Sequence, residues 1–238
     1  MSADWLTRGV YAHRGWHGDG RTENSPSAFR AAIAAGLGIE CDIQQSADGE
    51  PMVFHDWDLD RLTGQKGPVA GRTVAELTGI ALAGPGEPIP TLRDLLDQVA
   101  GRVPLLIELK SKAERPIAPL CRAVARDLEG YRGPCAAMSF DPRVGDWFAR
   151  HTPHVIRGLV VSEANARTLT GAVRRQLALW RSQPDFLAYD VRDLPSRFAA
   201  GQRARGLPVL TWTVSTPALL ARGREHADGW IAEGEGLT

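Results

Sequence analysis

Residues 103–109 read Val-Pro-Leu-Leu-Ile-Glu-Leu, a nearly continuous apolar run that is interrupted by one carboxylate. A strand that is apolar at successive positions, rather than at alternate ones, is typical of a sheet covered on both faces. The run lies between a helical pattern that follows Thr91 and another that spans 117–128. This order of elements predicts a parallel sheet built from alternating strands and helices.

The same alternation continues through the 238 residues. Further helices are predicted at 26–35, 142–150, 166–180, 196–205 and 217–224. Eight main strands are predicted to begin near residues 9, 37, 103, 135, 155, 185, 209 and 229. This pattern predicts an α/β fold, a TIM (β/α)8 barrel, and the alternative is an open doubly wound sheet. No glycine-rich phosphate loop follows the first strand, which favours the barrel. We predict a single domain over 1–238, with a small insertion after the second strand and without the last outer helix.

The charge balance limits the classes of partner. The chain has 28 Lys and Arg against 28 Asp and Glu, so its formal net charge is zero. A nucleic-acid binder that relies on bulk positive charge is excluded, and no stable membrane association is expected.

The N-terminal residues and the cysteines bear on the location of the protein. Residues 1–11 lack the apolar segment of a signal peptide, and three widely spaced cysteines do not suggest a disulfide framework. We expect a cytoplasmic protein, and the sequence leaves its oligomeric state open.

Acidic side chains occur near the ends of two predicted strands. Glu40 and Asp42 are two residues apart and therefore point to the same side of the second strand; Glu108 and Lys110 repeat the spacing in the third. The active site of a barrel lies at the carboxyl ends of its strands, so these side chains are predicted to meet. Three neighbouring carboxylates repel one another unless a cation lies among them. All-oxygen ligands favour Mg²⁺ or Ca²⁺.

Two histidines complete this constellation. His13 and Arg14 end the first strand, and His55 and Asp56 close a short return strand after the second. The two histidines would supply a general base and a general acid on opposite sides of a phosphorus atom. Three carboxylates, one divalent cation, Arg14 and Lys110 leave a single net positive charge. One singly charged phosphodiester would neutralise it.

Several motifs follow in order along nearly the whole chain. They are His13-Arg14-Gly15, Glu23-Asn24-Ser25, Glu40-Cys41-Asp42, His55-Asp56, Glu108-Leu109-Lys110, Ser139-Phe140-Asp141-Pro142 and Thr211-Trp212-Thr213-Val214. Together they closely resemble the glycerophosphodiester phosphodiesterase family. The resemblance implies a TIM barrel that needs one divalent cation, commonly Mg²⁺ or Ca²⁺. It also implies a small-molecule substrate, a glycerophosphodiester, that is cleaved to glycerol 3-phosphate and an alcohol.

The resemblance also implies roles for individual residues. It assigns metal ligation to Glu40, Asp42 and Glu108, acid–base catalysis to His13 and His55, phosphoryl binding to Arg14 and Lys110, and a pocket wall to Trp212. Glu23 and Asn24 would support the loop after the first strand. His17 matches no motif, and Asp56 either orients His55 or begins the next loop. The run after Asp228-Gly229 departs from the family pattern, so the headgroup preference is left open.

Two other functions compete with this interpretation. A relative that acts on intact lysophospholipids, or that stops at a cyclic phosphate, would need an exposed apolar rim. The segment 57–86 has few large apolar residues, which argues against that relative. A non-catalytic module that binds a metal or a phosphoester would not need both His13 and His55. We therefore expect a metal-dependent phosphodiesterase that acts on deacylated phospholipids.

Overall fold

The computed structural model describes residues 4–84, 86–164 and 166–237. The strands in these ranges are β1 Val10–Ala12, β2 Gly38–Gln45, β3 Pro51–Val53, β4 Leu105–Leu109, β5 Cys135–Ser139, β6 Ile156–Val161, β7 Phe186–Asp190, β8 Val209–Val214 and β9 Gly229–Ala232. The α-helices are α1 Pro26–Ala34, α2 Asp60–Thr63, α3 Val74–Thr78, α4 Leu92–Val99, α5 Ala118–Leu128, α6 Pro142–His151, α7 Leu169–Ser182, α8 Arg197–Arg203 and α9 Pro217–His226. Short 3₁₀ helices lie at Asp4–Thr7, Val69–Gly71, Val191–Asp193 and Gly234–Leu237.

The order of elements is that of the predicted class, the TIM (β/α)8 barrel, and this prediction is confirmed. Each of the eight main strands begins within two residues of its predicted position. The predicted return strand is β3, and the predicted insertion after the second strand contains β3, α2 and α3. The single domain over 1–238 stays a prediction, and its residues 1–3, 85, 165 and 238 lie outside the described ranges.

Two helices differ from the sequence prediction by more than two residues at their start or were not predicted. Helix α7 begins at Leu169 rather than at residue 166, because the Thr168 side chain accepts a hydrogen bond from the Gly171 N–H and so caps the helix there. Helix α2 was not predicted at all. It is four residues long, and Leu59 at its start offers no side-chain cap, so the sequence carries no helix signal. Among the described residues, no helix is long and apolar enough to cross a membrane.

Packing divides the chain into two compact units. One unit is residues 12–134, called here the site unit. The other contains the described residues of 1–11 and 135–238, and in it the strands β5 to β9 pair in sequence order and in parallel. Its core includes Leu159, Leu187, Tyr189 and Val209.

Strand β2 organises the site unit. It pairs in parallel with β4, which places Asp42 beside Glu108, and it pairs in antiparallel fashion with β3. Seven of its eight residues are buried, as a strand covered on both faces requires.

Side-chain caps set the start of two helices in this unit. Helix α1 begins where the Ser25 hydroxyl accepts a hydrogen bond from the Ala28 N–H. Helix α4 begins at the Thr91 capping box, as the sequence predicts.

The insertion has a small hydrophobic core of its own. Its buried side chains are Met52, Phe54, Leu59, Leu62, Val69, Leu77, Leu82 and Ile89. The few large apolar residues of this segment are therefore used to hold the insertion together. They do not form an exposed apolar rim.

Candidate active site

The three predicted carboxylates meet inside the site unit. Glu40 and Asp42 lie on β2 and Glu108 lies on β4, and all three are buried. One carboxylate oxygen from each lies within 4.8 Å of the others. The two-residue spacing in β2 and the parallel register with β4 bring the three groups to one side of the sheet.

The electrostatics of this cluster reflect an excess of negative charge. Burial, followed by the charges of Asp42 and Glu108, holds the pKa of Glu40 well above its usual range. Burial also raises the pKa of Glu108 to about 7, and the charge of Asp42 adds to this despite nearby Lys110. Burial acts to raise the pKa of Asp42 too, but Lys110 and Arg14 outweigh it, and this pKa is lowered. Two of the three carboxylates thus lack sufficient compensating positive charge.

The donor set fits a hard divalent cation. It consists of oxygens only, it is anionic, and its members are close enough to share one ion. A bound cation would supply the positive charge that the cluster lacks, and it would lower the carboxylate pKa values that burial raises. Mg²⁺ and Ca²⁺ both match this chemistry.

Two cationic side chains border the cluster. The Arg14 backbone N–H donates to Glu40 Oε2 at 3.1 Å, and its Nη1 donates to Glu23 Oε1 at 2.7 Å. Its Nε lies 3.2 Å from Asp42 Oδ2. Lys110 Nζ lies 3.0 Å from Glu108 Oε1 and 3.3 Å from Asp42 Oδ1. Both predicted phosphoryl-binding residues therefore lie beside the predicted metal ligands.

The loop after β1 is held by Asn24. This buried residue has a left-handed backbone (φ 55°), which asparagine tolerates better than most residues. Its side-chain amide donates to Asp42 Oδ2 at 3.0 Å, and its N–H donates to the Arg14 carbonyl at 2.8 Å. These hydrogen bonds join the loop that carries Arg14 to the carboxylate cluster. The supporting role that the family resemblance implies for Asn24 stays a prediction.

The two predicted catalytic histidines are both partly exposed. His13 follows β1, and its Nε2 lies 4.0 Å from Glu40 Oε2. His55 follows β3, and its Nδ1 lies 2.7 Å from Asp56 Oδ1. Burial lowers the pKa of His55, and the charges of Lys110 and Arg14 act in the same direction against Asp42. The lowered pKa favours the neutral form of the His55 imidazole.

Two polar residues that the sequence did not single out support the His55 segment. The Gln44 side-chain amide donates to the carbonyls of His55 and Asp56. Arg61 donates to both oxygens of Asp56. Gln44 could have been found, because it follows Glu40 and Asp42 at the same two-residue spacing and so points to the same side of β2. No comparable pattern marks Arg61, which lies in an irregular insertion.

The two remaining candidates have separate surroundings. The rings of His17 and His13 lie edge to face with centroids 6.5 Å apart, so His17 is near a candidate residue without belonging to a motif. Trp212 lies on β8 in the other unit, where its Nε1 donates to the Ala188 carbonyl at 2.9 Å. It meets Phe140 edge to face with a centroid separation of 5.5 Å. The role of Trp212 as a pocket wall stays a prediction.

Comparison with known proteins identifies a hydrolytic enzyme of the phosphoric diester hydrolase class. The chain belongs to the glycerophosphoryl diester phosphodiesterase family, whose sequence model matches residues 13–231. That match extends from the first candidate histidine into β9, so it includes every candidate residue of the site.

Relatives of similar length support the assignment. The Bacillus subtilis protein YhdW is 28% identical over 225 residues, which are 90% of this chain and 88% of that protein. A solved Oleispira antarctica phosphodiesterase, in complex with the product sn-glycerol-3-phosphate, is 25% identical with a TM-score of 0.84, covering 98% of this chain and 95% of that one. The glycerophosphodiester phosphodiesterase of Thermotoga maritima is 26% identical with a TM-score of 0.76, covering 94% and 93%.

The carboxylate cluster predicts a stabilising effect of the cation. Mg²⁺ or Ca²⁺ should raise the melting temperature, because an ion that binds only the folded chain adds about 2.7 kcal/mol at a hundred times its dissociation constant. Glu40→Gln should remove most of this increase, since a neutral amide is a weaker ligand for a hard cation. Thermal unfolding with titrated cation measures the effect.

The matched control is Glu50→Gln. Glu50 pairs with Arg126 and is not a member of the cluster, so its replacement should leave the cation response intact. An equal response of wild type and Glu40→Gln would show that the ion binds elsewhere.

Proposed function

We propose that the enzyme hydrolyses glycerophosphodiesters to glycerol 3-phosphate and an alcohol, in a reaction that requires Mg²⁺ or Ca²⁺. The observation that carries this proposal is the buried cluster of Glu40, Asp42 and Glu108, with Arg14 and Lys110 at its border. The family assignment and the product-bound Oleispira relative support the substrate class. We further propose that the enzyme acts in the cytoplasm on a soluble substrate.

Glu40, Asp42 and Glu108 would hold the cation. When bound, the ion would act as a Lewis acid that stabilises negative charge on the phosphoryl oxygens and lowers the pKa of an attacking hydroxyl. Arg14 and Lys110 would take up the charge that develops on those oxygens in the transition state. Both side chains lie within 3.3 Å of an Asp42 carboxylate oxygen, beside the residues that would hold the cation.

The nucleophile in this proposal is the 2-hydroxyl of the substrate glycerol. Its oxygen forms a bond to phosphorus while the bond from phosphorus to the leaving alcohol breaks. One histidine takes the hydroxyl proton and the other protonates the departing alcohol. The resulting cyclic 1,2-phosphate is then opened by water, with the histidines exchanging roles. A nucleophile already present in the substrate gives a large advantage of proximity.

The contact between His55 and Asp56 supports the participation of His55. Because Nδ1 faces the Asp56 carboxylate at 2.7 Å, the ring nitrogen that remains for the substrate is Nε2. His13 and His55 lie on different segments that both border the cluster.

The buried insertion core argues against a competing substrate. An enzyme for intact lysophospholipids needs an apolar surface to receive an acyl chain. Leu59, Leu62, Leu77 and Leu82 are buried within the insertion and offer no such surface. A soluble, deacylated diester suits this segment better.

The charge of the site predicts selectivity between phosphate esters. One cation, two basic side chains and three carboxylates balance a monoanion better than a dianion. Diesters such as glycerophosphocholine should be cleaved, whereas glycerol 3-phosphate should release almost no inorganic phosphate. Parallel assays of choline release and phosphate release test this. Efficient hydrolysis of the monoester would contradict the proposed charge balance.

The proposed mechanism predicts the behaviour of histidine variants. His13→Ala and His55→Ala should each lower kcat by about 100-fold or more, the usual contribution of an acid–base residue. His151→Ala serves as the control, because His151 is an exposed residue at the end of α6. Its Nδ1 donates to the Trp147 carbonyl, and its ring stacks on the Trp147 ring. Steady-state kinetics on one diester gives the comparison.

A substrate analogue separates the two possible nucleophiles. A diester that lacks the glycerol 2-hydroxyl should bind but turn over very slowly if that hydroxyl attacks phosphorus. Normal hydrolysis of the 2-deoxy diester would point to direct attack by water. The histidines would then activate that water and protonate the leaving group.

A further inference from the structure

Arg61 connects two parts of the candidate site. It lies on α2 in the insertion, and its side chain is 49% exposed. Its guanidinium makes four hydrogen bonds to two carboxylates that are far apart in sequence. Nε and Nη2 donate to Asp56 at 2.6 and 2.8 Å, and Nη1 and Nη2 donate to Glu23 at 2.9 and 2.8 Å. Arg61 therefore uses all three of its nitrogens to hold this pair of acids.

Asp56 transmits the effect of Arg61 to His55. Hydrogen bonds from Arg61, followed by a smaller contribution from His55, lower the pKa of Asp56 to about 2. An ionised carboxylate can only accept hydrogen bonds. The Nδ1 of His55, 2.7 Å from Asp56 Oδ1, must then carry the proton, and the lone pair of the neutral ring lies on Nε2.

Glu23 transmits the effect of Arg61 to Arg14. Glu23 Oε1 accepts from Arg14 Nη1 at 2.7 Å and from Arg61 Nη2 at 2.8 Å. One carboxylate oxygen thus lies between two guanidinium groups. Without Arg61, the Glu23 side chain would no longer be held in place and could move together with Arg14. The orientation of the Arg14 side chain therefore depends on the guanidinium of Arg61.

We propose that Arg61 is a positioning residue that fixes the tautomer of His55 through Asp56 and the orientation of Arg14 through Glu23. The inference rests on the proposed function for the roles of His55 and Arg14. Arginine suits the task because its planar fork of donors matches two carboxylates at once, whereas the ammonium of lysine is a point charge. Arg61 itself makes no contact with the carboxylate cluster.

The test compares Arg61→Gln with Arg126→Gln. Arg126 is a matched control, because it is 50% exposed and also bridges two carboxylates, those of Glu50 and Asp127. Arg61→Gln should lower kcat by about 10- to 100-fold, the usual cost of losing a partner that orients an active-site ligand. Arg61→Lys should recover only part of this loss. Arg126→Gln should leave kcat unchanged.

Nitrogen NMR of the histidine rings gives a readout that is independent of activity. In the wild type and in Arg126→Gln, His55 should carry its proton on Nδ1. In Arg61→Gln the two tautomers should mix. An unchanged tautomer together with an unchanged kcat in Arg61→Gln would overturn the proposal. If the wild type cleaves no diester while the tautomer still depends on Arg61, the proposed function fails and the positioning role of Arg61 stands.

An independent observation concerns the outer surface of α7. Among the residues that the structure describes, five large apolar side chains are exposed, and four of them lie on this helix: Leu169, Val173, Leu177 and Trp180. Successive residues of an α-helix are rotated by about 100° around its axis. Because the four side chains are spaced by four, four and three residues, they lie within an arc of roughly 80° around the axis. The buried residues of α7, Gly171 and Ser182, fall on the opposite side. This helix therefore turns an apolar stripe toward solvent, the reverse of the usual arrangement.

The charges of α7 indicate what the stripe contacts. Arg174 and Arg181 border the stripe, and the helix contains no acidic residue. Arg181 Nε also lies 3.8 Å from Asp146 Oδ2. Arg175 faces the other side of the helix, where its Nη2 lies 3.7 Å from Glu163 Oε2. Apolar side chains with a tryptophan on one face and arginines beside them are typical of helices that lie on anionic lipid surfaces. A stable dimer takes roughly 20–30 residues from each partner, far more than this one stripe offers, and the arginines of two copies would repel. We infer that α7 docks the enzyme reversibly on an anionic lipid bilayer.

Vesicle sedimentation tests this docking. The protein should bind vesicles of mixed phosphatidylglycerol and phosphatidylcholine, and added salt should weaken the binding. The double variant Leu177→Ser/Trp180→Ser, and separately Arg174→Gln/Arg181→Gln, should lower partitioning on the order of 10-fold. Phe140→Ser, which removes the fifth exposed apolar side chain, is the control and should have no effect.

Two results would overturn the docking proposal. Equal vesicle binding by the wild type and the Leu177→Ser/Trp180→Ser variant would exclude the stripe as the lipid contact. A solution dimer that this variant converts to a monomer, without vesicle binding by the wild type, would instead assign the stripe to a second copy of the chain. Analytical ultracentrifugation of the same variants distinguishes these results.

Discussion

The mutual repulsion of three buried carboxylates is the constraint on which the site depends. Glu40, Asp42 and Glu108 are held within 4.8 Å of one another in surroundings where charge is poorly solvated. Such a cluster is stable only with compensating partners, because an uncompensated buried charge costs several kcal/mol. Arg14 and Lys110 supply part of that compensation, and the raised pKa values of Glu40 and Glu108 indicate that it is incomplete. A bound divalent cation would supply the positive charge that is still missing.

The same constraint accounts for the unusual backbone near the cluster. Arg14 and Asn24 both adopt left-handed conformations, with φ of 54° and 55°, which non-glycine residues rarely do. Each makes hydrogen bonds to a cluster carboxylate: the Arg14 N–H to Glu40, and the Asn24 amide to Asp42. Backbone strain of this kind persists where surrounding contacts compensate for it, often at functional sites. Here the contacts are those that stabilise buried negative charge.

A continuous chain of contacts joins the candidate acid–base residue to this cluster. It runs from His55 to Asp56, then through Arg61 and Glu23 to Arg14, which borders Asp42. Acidic and basic groups alternate along the chain after the imidazole. The groups that would move protons and the groups that would hold the phosphoryl oxygens are therefore oriented together. The insertion, through Arg61, takes part in building the site.

The sequence predicts those features that follow from regular periodicity. The two-residue alternation of β2 and its parallel pairing with β4 are sufficient to bring Glu40, Asp42 and Glu108 together. Thr91 and Ser25 mark helix starts through their side-chain caps. Arg61 could not be predicted, because its partners are set by the path of an irregular insertion and by a four-residue helix without a cap. The link of Asp56 to His55 likewise depends on ring orientation.

Other features depend on which face of a helix the packing covers. The pattern of α7 does not reveal that Leu169, Leu177 and Trp180 face solvent, since the same spacing would suit a buried stripe.

The most direct test of the central claim is a crystal structure with Mn²⁺ as a stand-in for Mg²⁺, located by its anomalous scattering. The account predicts one ion, with an oxygen of each of Glu40, Asp42 and Glu108 about 2.0–2.2 Å away, as expected for a small hard cation bound by oxygen. The account would be contradicted if Mn²⁺ bound at full occupancy at another site, while Lys110 and no ion lay among the three carboxylates.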